Sequence, residues 1–484
     1  MDLRKRWWLL PVLLLLALPW LLPISGEVVV IPGEGAVVPT PRFRFDPPVS
    51  TPGDLVVVSV TDTQPWSFVQ LTVNGEPAMP VKGEPGADGA WTWRWLFTAP
   101  EQPGYVLAFY RDCHTGCVEQ GRMVVGRAPA MAATGVPTKL GVTFPNPERD
   151  WHGRAGWVVE VTYARKAEAL YWGVDDLAAR VALHHAQGLR VLVRVDYAES
   201  QSLPPADDYL ALTEYLDYLR RLARDDRLQG LYGLIIGNEP NAVSANVLSP
   251  DLPTTPAWYA RIFNGYGEDP TRSDNAVQVI HAENPNVRVL VGPVRAWSTD
   301  QDGDQKHALD EPWLNYMNTL VALLDEGAQV KATAGIPLVV PDGFDVQAPG
   351  RPDAPEMAGK LRADEPRSDL QRSAWGGAQA GFRIYRDWME IINAYPTTRG
   401  LPIYIVSTNT YEREAKIPPA QNYPRGWLTT ALMVVNAEPQ IQALCWFLDD
   451  FPHDTQWDWF SLTRQPGRLV DAAEEFDALL RGVK

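Results

Sequence analysis

The apolar and polar positions divide the chain into two parts with different patterns. In the first part, short β-branched or alternating segments follow one another without helical runs between them. Asn74-Gly75, between two of these segments, is a strong signal for a tight hairpin turn. The pattern predicts a small all-β immunoglobulin-like sandwich over residues 49–126. Its predicted strands are residues 54–62, 68–73, 91–97, 105–110 and 121–125.

In the second part, apolar strand-like runs alternate with longer amphipathic segments. This alternation predicts a parallel sheet, and eight such units predict a (β/α)8 barrel over residues 138–484. Two insertions, residues 244–274 and 348–373, would lie on the loop side of the barrel. The predicted strands are residues 139–144, 157–163, 189–195, 231–237, 287–294, 343–348, 401–406 and 441–448. The predicted helices are residues 174–187, 207–224, 276–283 and 426–436, and one that ends near Tyr395.

The segments outside these two domains indicate export. Arg4, Lys5 and Arg6 precede an uncharged apolar stretch, residues 7–24, which is the layout of a signal peptide. The stretch is also almost long enough to span a bilayer, so residues 1–26 are either a cleaved signal or a retained membrane anchor. In both cases the rest of the chain is expected outside the cytoplasm. Residues 27–48 and 127–137 are rich in Pro and Gly and are predicted linkers.

Charge and aromatic content narrow the possible partners. The net charge of −16 argues against a nucleic-acid-binding surface, which should be basic. It also argues against docking on an anionic membrane, which leaves the N-terminal segment as a possible tether. Trp91, Trp93 and Trp95 alternate along one strand and therefore lie on one face. Their expected place is the sandwich core, and a sugar-stacking platform is the alternative.

The cysteines point to a structural role. Cys113 and Cys117 bracket a three-residue loop, and a disulfide across it is plausible in an oxidising compartment. A metal pair is the alternative, but the second ligand pair of a zinc site is missing. Cys445 lies in an apolar run and is expected to be a buried small hydrophobe. No His, Asp and Glu cluster has ligand spacing, so neither a metal nor another cofactor is predicted.

The end of the fourth barrel strand carries the clearest chemical signal. An apolar run stops abruptly at Asn238-Glu239-Pro240. In a barrel this change places Asn238 and Glu239 at the C-terminal mouth, where barrel enzymes do their chemistry. A carboxyl group there can protonate a leaving oxygen. A carboxylate in a plain surface turn is the alternative.

Asn-Glu-Pro at this position resembles the clan of retaining glycoside hydrolases built on (β/α)8 barrels. The resemblance covers roughly residues 138–470 and implies that Glu239 is the general acid/base, that Asn238 binds the 2-hydroxyl of a sugar, and that carbohydrate is the partner. Trp446 stands where the clan often has a Trp beneath the sugar; core packing is its alternative. Three further side chains would line the mouth: Arg194 and Asp196 after the third strand, and Trp297 after the fifth.

The chain departs from the clan at two strands. Ser407 stands where the pattern places the nucleophilic Glu, and Gln347 stands where relatives often have His or Tyr. The retaining mechanism needs two carboxyl groups about 5 to 5.5 Å apart, and an inverting one tolerates about 6.5 to 9.5 Å. Either another acid reaches in (Glu412, Asp449 or Asp196) or the site binds sugar without hydrolysis. A structural or adhesion protein is a third possibility, because fold alone does not fix function.

Overall fold

The structure is a computed structural model of the chain. It describes residues 43–46, 49–50, 53, 55–62, 69–73, 76–78, 80–85, 91–99, 104–112, 118–125, 135–228, 230–251, 254–298, 309, 311–337, 339–351, 377–413 and 415–482. The predicted signal or anchor segment and the proposed Cys113–Cys117 disulfide lie outside the described residues. Most of the second predicted insertion also lies outside them.

The N-terminal part consists of strands only, as far as it is described. Two sheets are present, with the orders β1-β3-β7-β6 and β2-β9-β8-β4-β5. Strand β1 falls within the predicted linker, so strand pairing begins at Phe43 rather than at residue 49. An immunoglobulin-like arrangement of the two sheets stays a prediction. The strands are β1 Phe43–Asp46, β2 Val49–Ser50, β3 Leu55–Asp62, β4 Val69–Val73, β5 Glu76–Ala78, β6 Pro80–Pro85, β7 Trp91–Thr98, β8 Gly104–Asp112 and β9 Val118–Val125.

Trp95 on β7 is fully buried, and it is paired in register with Val58 on β3, which is also fully buried. Side chains of paired residues lie on the same face of a sheet. Trp95 therefore belongs to a hydrophobic core and offers no surface to a sugar. Trp93, two residues earlier, is half-buried.

The C-terminal part is a closed barrel of eight parallel strands in chain order, which confirms the predicted barrel fold. The first strand pairs with both the second and the last, and this closes the ring. The strands, called first to eighth below, are β10 Val136–Thr143, β11 Arg154–Tyr163, β12 Arg190–Asp196, β13 Leu231–Ile236, β14 Arg288–Val291, β15 Gly343–Gln347, β16 Ile403–Thr408 and β17 Ile441–Phe447.

Helices follow the strands, as the alternating pattern predicted. In the described ranges they are α1 Val174–Ala186, α2 Tyr209–Arg224, α3 Pro256–Asn264, α4 Ala276–Glu283, α5 Pro312–Thr333, α6 Ile384–Ala394, α7 Pro419–Asn422, α8 Trp427–Asn436 and α9 Leu469–Arg481. The sequence did not predict α3, α5, α7 or α9. Helix α5 buries Asn315, Thr319 and Asp325 beside its apolar residues, so it lacks the polar stripe that marks an amphipathic helix. No helix among the described residues is long and apolar enough to cross a membrane.

Large side chains fill the inside of the barrel. They form a separate buried cluster that includes Trp157, Leu192, Ile235, Leu290, Tyr404 and Cys445. The barrel is therefore packed and has no open pore along its axis at this level. The loops that follow the strands therefore lie beyond this packed cluster, at the C-terminal end of the barrel.

Candidate functional site

The fourth strand ends in a sharp turn that sets the direction of Glu239. Gly237 and Glu239 both have positive φ angles, 72° and 53°. A side chain on Gly237 would also meet the Ser202 hydroxyl oxygen at 2.7 Å, so glycine is needed there. The backbone N–H of Glu239 donates to the Pro293 carbonyl at 2.8 Å, and the N–H of Asn238 donates to the Ser202 hydroxyl at 2.8 Å. These bonds hold an otherwise unfavourable backbone conformation in place.

The Glu239 carboxylate reaches side chains from neighbouring strand ends. Gln347, at the end of the sixth strand, donates its amide N–H to Oε1 at 2.6 Å. Arg295, after the fifth strand, lies with its Nε 3.7 Å from Oε2. The Glu239 side chain is 23% exposed, so the carboxylate is reachable from the mouth. The backbone of Gln347 is held in place, because its main-chain carbonyl accepts a hydrogen bond from the Trp388 indole at 3.0 Å.

Arg194 and Asp196 lie on the third strand two residues apart, and therefore on one face. The guanidinium Nη2 is 3.1 Å from Asp196 Oδ2. Burial raises the pKa of Asp196 to about 6; Arg194 opposes the rise and the nearby charge of Glu239 adds to it. Of the three acids proposed from the sequence, Asp196 is thus the one whose pKa is raised in part by the charge of Glu239.

Asp449, another proposed acid, has a structural role. It is fully buried, and it accepts hydrogen bonds from Arg149 Nε at 2.8 Å and from the backbone N–H of Asn146 at 2.9 Å. This pair joins the loop after the first strand to the loop after the eighth. Glu412, the remaining acid, is half-buried and forms a β-bridge with Ile417 in the loop after the seventh strand.

Ser407 is half-buried near the end of the seventh strand, in register with Gln347 on the sixth. Its carbonyl accepts a hydrogen bond from the backbone N–H of Ala348 at 3.1 Å. Ser407 therefore lies next to the residue that binds Glu239, but it brings no negative charge to this point of the mouth.

Trp446 is fully buried and is placed away from the mouth. Its indole N–H donates to the Phe460 carbonyl at 3.0 Å, and its ring packs 5.7 Å from Tyr423 and 6.3 Å from Trp427. This is the core-packing alternative, so Trp446 offers no ring to a sugar. Side chains alternate along a strand, so the barrel-facing neighbours of Trp446 are Cys445 and Phe447. Phe447, the next residue in the chain, is half-buried. It is therefore Phe447, and not Trp446, that lies on the barrel-facing side of the strand near the mouth.

Trp297 is half-buried in the loop after the fifth strand, where its indole N–H donates to the Gln379 carbonyl at 2.9 Å. Arg295, two residues before it, was not predicted, because it lies in the loop after the fifth strand and no motif marks it. Tyr163, the last residue of the second strand, was not predicted either; it is paired in register with Asp196. Burial raises the pKa of Tyr163 to about 12, so this hydroxyl stays protonated at neutral pH.

One carboxyl group lies inside the barrel, below the mouth. Asp345 is on the same strand as Gln347 and two residues before it, and it is 1% exposed. Neither of its oxygens has a hydrogen-bond partner, and burial raises its pKa well above the usual range. The surroundings of Asp345 thus disfavour its charged form. Among the described residues, no group of three or more His, Cys, Asp or Glu side chains is arranged to hold a metal ion.

Comparison with known proteins finds no matching protein family and no matching curated protein. Several solved structures are similar to parts of the chain. A glucosidase from Croceicoccus marinus is 11% identical, with a TM-score of 0.44 over 72% of this chain and 69% of the glucosidase. An endocellulase from Pyrococcus horikoshii, solved with cellotetraose, is 13% identical, with a TM-score of 0.33 over 77% of this chain and 96% of the endocellulase.

A glycoside hydrolase family 5 enzyme from Prevotella bryantii, solved with a xyloglucan oligosaccharide, is 16% identical, with a TM-score of 0.34 over 66% of this chain and 82% of that enzyme. The chain spans only 45% of a β-glucuronidase from Bacteroides uniformis that it also resembles. At these identities and scores, the similarities do not define the chemistry of this chain. The chemistry is therefore inferred from the side chains of the site.

Proposed function

We propose that this chain is an extracytoplasmic glycoside hydrolase-like protein that binds or cleaves an oligosaccharide at the barrel mouth. The observation that supports this most directly is the setting of Glu239. A reachable carboxylate at the end of the fourth strand has an amide donor at 2.6 Å and a guanidinium at 3.7 Å. Such a group of polar side chains at the mouth suits the hydroxyl groups of a sugar. Glu239 is the proposed proton donor, and Asn238 a proposed hydroxyl ligand.

Cleavage needs a second carboxyl group, because the transition state carries positive charge at the anomeric carbon. Asp196 is the proposed second group. Its place at the end of the strand that pairs with the Glu239 strand supports this role, and so does a pKa of about 6, which leaves it mostly ionised at neutral pH. Arg194 would hold the Asp196 carboxylate in position through the 3.1 Å ion pair.

Sugar binding without cleavage is the second candidate. Ser407 favours it, because a hydroxyl stands where the resemblance implies a nucleophilic carboxylate. The oxygen of Asp196 that Arg194 leaves free is also buried, which restricts the approach of water to it. In this case Glu239, Gln347 and Arg295 would act only as hydrogen-bonding partners of the glycan.

A screen on aryl glycosides and soluble polysaccharides, with the wild type and Glu239→Gln side by side, distinguishes the two candidates. Hydrolysis that disappears in Glu239→Gln supports the first. Glycan binding without any turnover supports the second. Activity that survives the substitution would remove Glu239 from the mechanism. Ser407→Glu in the same screen asks whether one substitution restores the usual carboxyl pair.

The location of the protein and the sandwich fold belong to the same proposal. The basic-then-apolar layout of residues 1–26 supports export, either as a secreted protein or as one anchored by residues 7–24. Fractionation of cells that express the full chain tests this, because a protein found with the cytoplasmic contents would contradict it. The two N-terminal sheets are compatible with an immunoglobulin-like sandwich that spaces the barrel from the membrane.

A further inference from the structure

Six aromatic side chains lie on one side of the barrel mouth, at or after the ends of three strands. They come from the loop after the first strand, the loop after the second, and the end of the eighth strand with its loop. Each of them is half-buried and therefore keeps part of its ring at the surface. We call this set the aromatic wall; its members are Phe144, Trp172, Phe447, Phe451, Trp457 and Phe460.

The rings of the wall contact one another without a gap. Phe144 lies in the middle, with its centroid 6.5 Å from Trp172, 4.9 Å from Phe451 and 6.3 Å from Phe447. Phe447 continues the series to Trp457 at 5.6 Å. These contacts are edge-on or tilted, which are the favoured arrangements of aromatic pairs. Each ring is thus held by its neighbours before any ligand arrives, and a preformed surface loses little entropy on binding.

Tyr163 connects the wall to the charged groups of the site. Its ring lies 4.8 Å from Trp172, and Tyr163 is paired in register with Asp196, the partner of Arg194. An apolar surface therefore continues directly into the side chains proposed to act on a sugar. A ligand that covers both must have an apolar face and a hydroxyl-rich edge.

Carbohydrate fits this description better than the other polymers. A pyranose ring presents C–H groups on its faces and hydroxyls around its rim, so it can stack on rings while it hydrogen-bonds to polar groups. A nucleic acid also stacks on aromatic rings, but its binding sites are basic, and this chain carries a net charge of −16. Grouped at one mouth, these half-buried aromatic residues also form a more continuous apolar patch than the single, scattered apolar residues of an ordinary protein surface.

We propose that the aromatic wall binds an uncharged stretch of a glycan chain, beyond the sugar unit that contacts Glu239. This inference rests on the proposed function and adds to it the substrate class. The ligand is a polysaccharide or long oligosaccharide, and a monosaccharide or small glycoside would leave the wall empty.

The test is affinity electrophoresis of the full chain in native gels with hydroxyethyl cellulose, xyloglucan, galactomannan or alginate. The variants are Trp172→Ala and Trp457→Ala. Trp459→Ala is the matched control, because Trp459 is 47% exposed in the same short turn, Thr455–Phe460. We expect at least one of the three neutral polysaccharides to retard the wild type. The two wall variants should lose at least about tenfold in affinity, or 1.4 kcal/mol, and the control should lose none.

Trp457→Phe keeps a ring at this place and should retain most of the affinity, which guards against misfolding of the alanine variant. Equal retardation of wild type and both wall variants would overturn the inference, and so would retardation by alginate alone. If no polysaccharide retards the wild type, the inference is also wrong. Turnover of aryl glycosides by wild type but not by Glu239→Gln would still support the proposed function, so the two failures are distinguishable.

Discussion

The two sides of the barrel mouth differ in the kind of side chain that they present. The third to sixth strands end in charged and amide groups: Arg194, Asp196, Glu239, Arg295 and Gln347. The first, second and eighth strands lead into the aromatic wall. Charged groups that move protons contribute to the chemical step, whereas stacking contributes to binding. Substitutions on the two sides should therefore change different kinetic constants.

The largest effect is expected from Glu239→Gln, on the polar side. The amide keeps the size of the side chain but cannot donate the proton, so kcat should fall by a factor of about 10² to 10⁴. Retardation by polysaccharide should stay within about twofold of the wild type, because the wall is intact. Glu412→Gln, which alters a half-buried acid after the seventh strand, is the comparison. An equal loss in both variants would break the assignment to Glu239.

A smaller effect is expected from Asp196→Asn, and it should depend on pH. Asp196 has a pKa of about 6 in the folded protein, and its proposed role requires the ionised form. The kcat/KM of the wild type should therefore fall as the pH drops through about 6. The variant should have a lower kcat/KM at neutral pH and lack this acidic limb. A limb that persists unchanged in Asp196→Asn would assign the titration to another group.

The smallest effect on activity is expected from Asp345, a carboxyl group with no access to the mouth, whose substitution should change stability instead. Its pKa is raised in the folded state, so the unfolded chain loses this proton at a lower pH than the folded chain does. Asp345 should therefore cost stability as the pH rises above about 4, by about 1.4 kcal/mol per pH unit, until the folded protein also ionises. Asp345→Asn removes this titration.

Thermal melts of wild type and Asp345→Asn between pH 4 and 7 measure the effect. The melting temperature of the variant should exceed that of the wild type by a margin that grows with pH. A margin that is constant across this range would mean that Asp345 does not titrate differently in the two states. Activity at saturating substrate should be unchanged, in contrast to the effect of the two mouth carboxyls.

Most of the barrel strands could be predicted from the sequence, because these buried strands are continuous apolar runs that stop at polar residues. The Asn-Glu-Pro turn was recognisable for the same reason. The direction of a strand residue was harder to predict: the sequence left Trp446 open between the mouth and the core, and its neighbour Phe447 is on the face that points into the barrel. Helix α5 was not predicted, because buried polar residues such as Asn315 interrupt the periodic spacing of apolar residues that marks an amphipathic helix.

The aromatic wall could not be predicted from the sequence. Its members come from loops at opposite ends of the barrel sequence, and no spacing connects Phe144 or Trp172 with Trp457. The proximity of Asp196 to the Glu239 turn has the same origin, since pairing of the third and fourth strands brings their ends together. Local patterns thus identify each element, while the site depends on closure of the ring.

The Arg149–Asp449 pair lies at the seam where the first strand meets the eighth, and the aromatic wall straddles that seam. Phe144 is made early in synthesis and Phe447 close to the end, so a nascent chain that has not yet added its last strand has only a fragment of the wall. Glycan capture by the wall would therefore begin only when synthesis and folding of the barrel are complete. The surface proposed to bind glycan therefore forms last, with the pairing that closes the barrel.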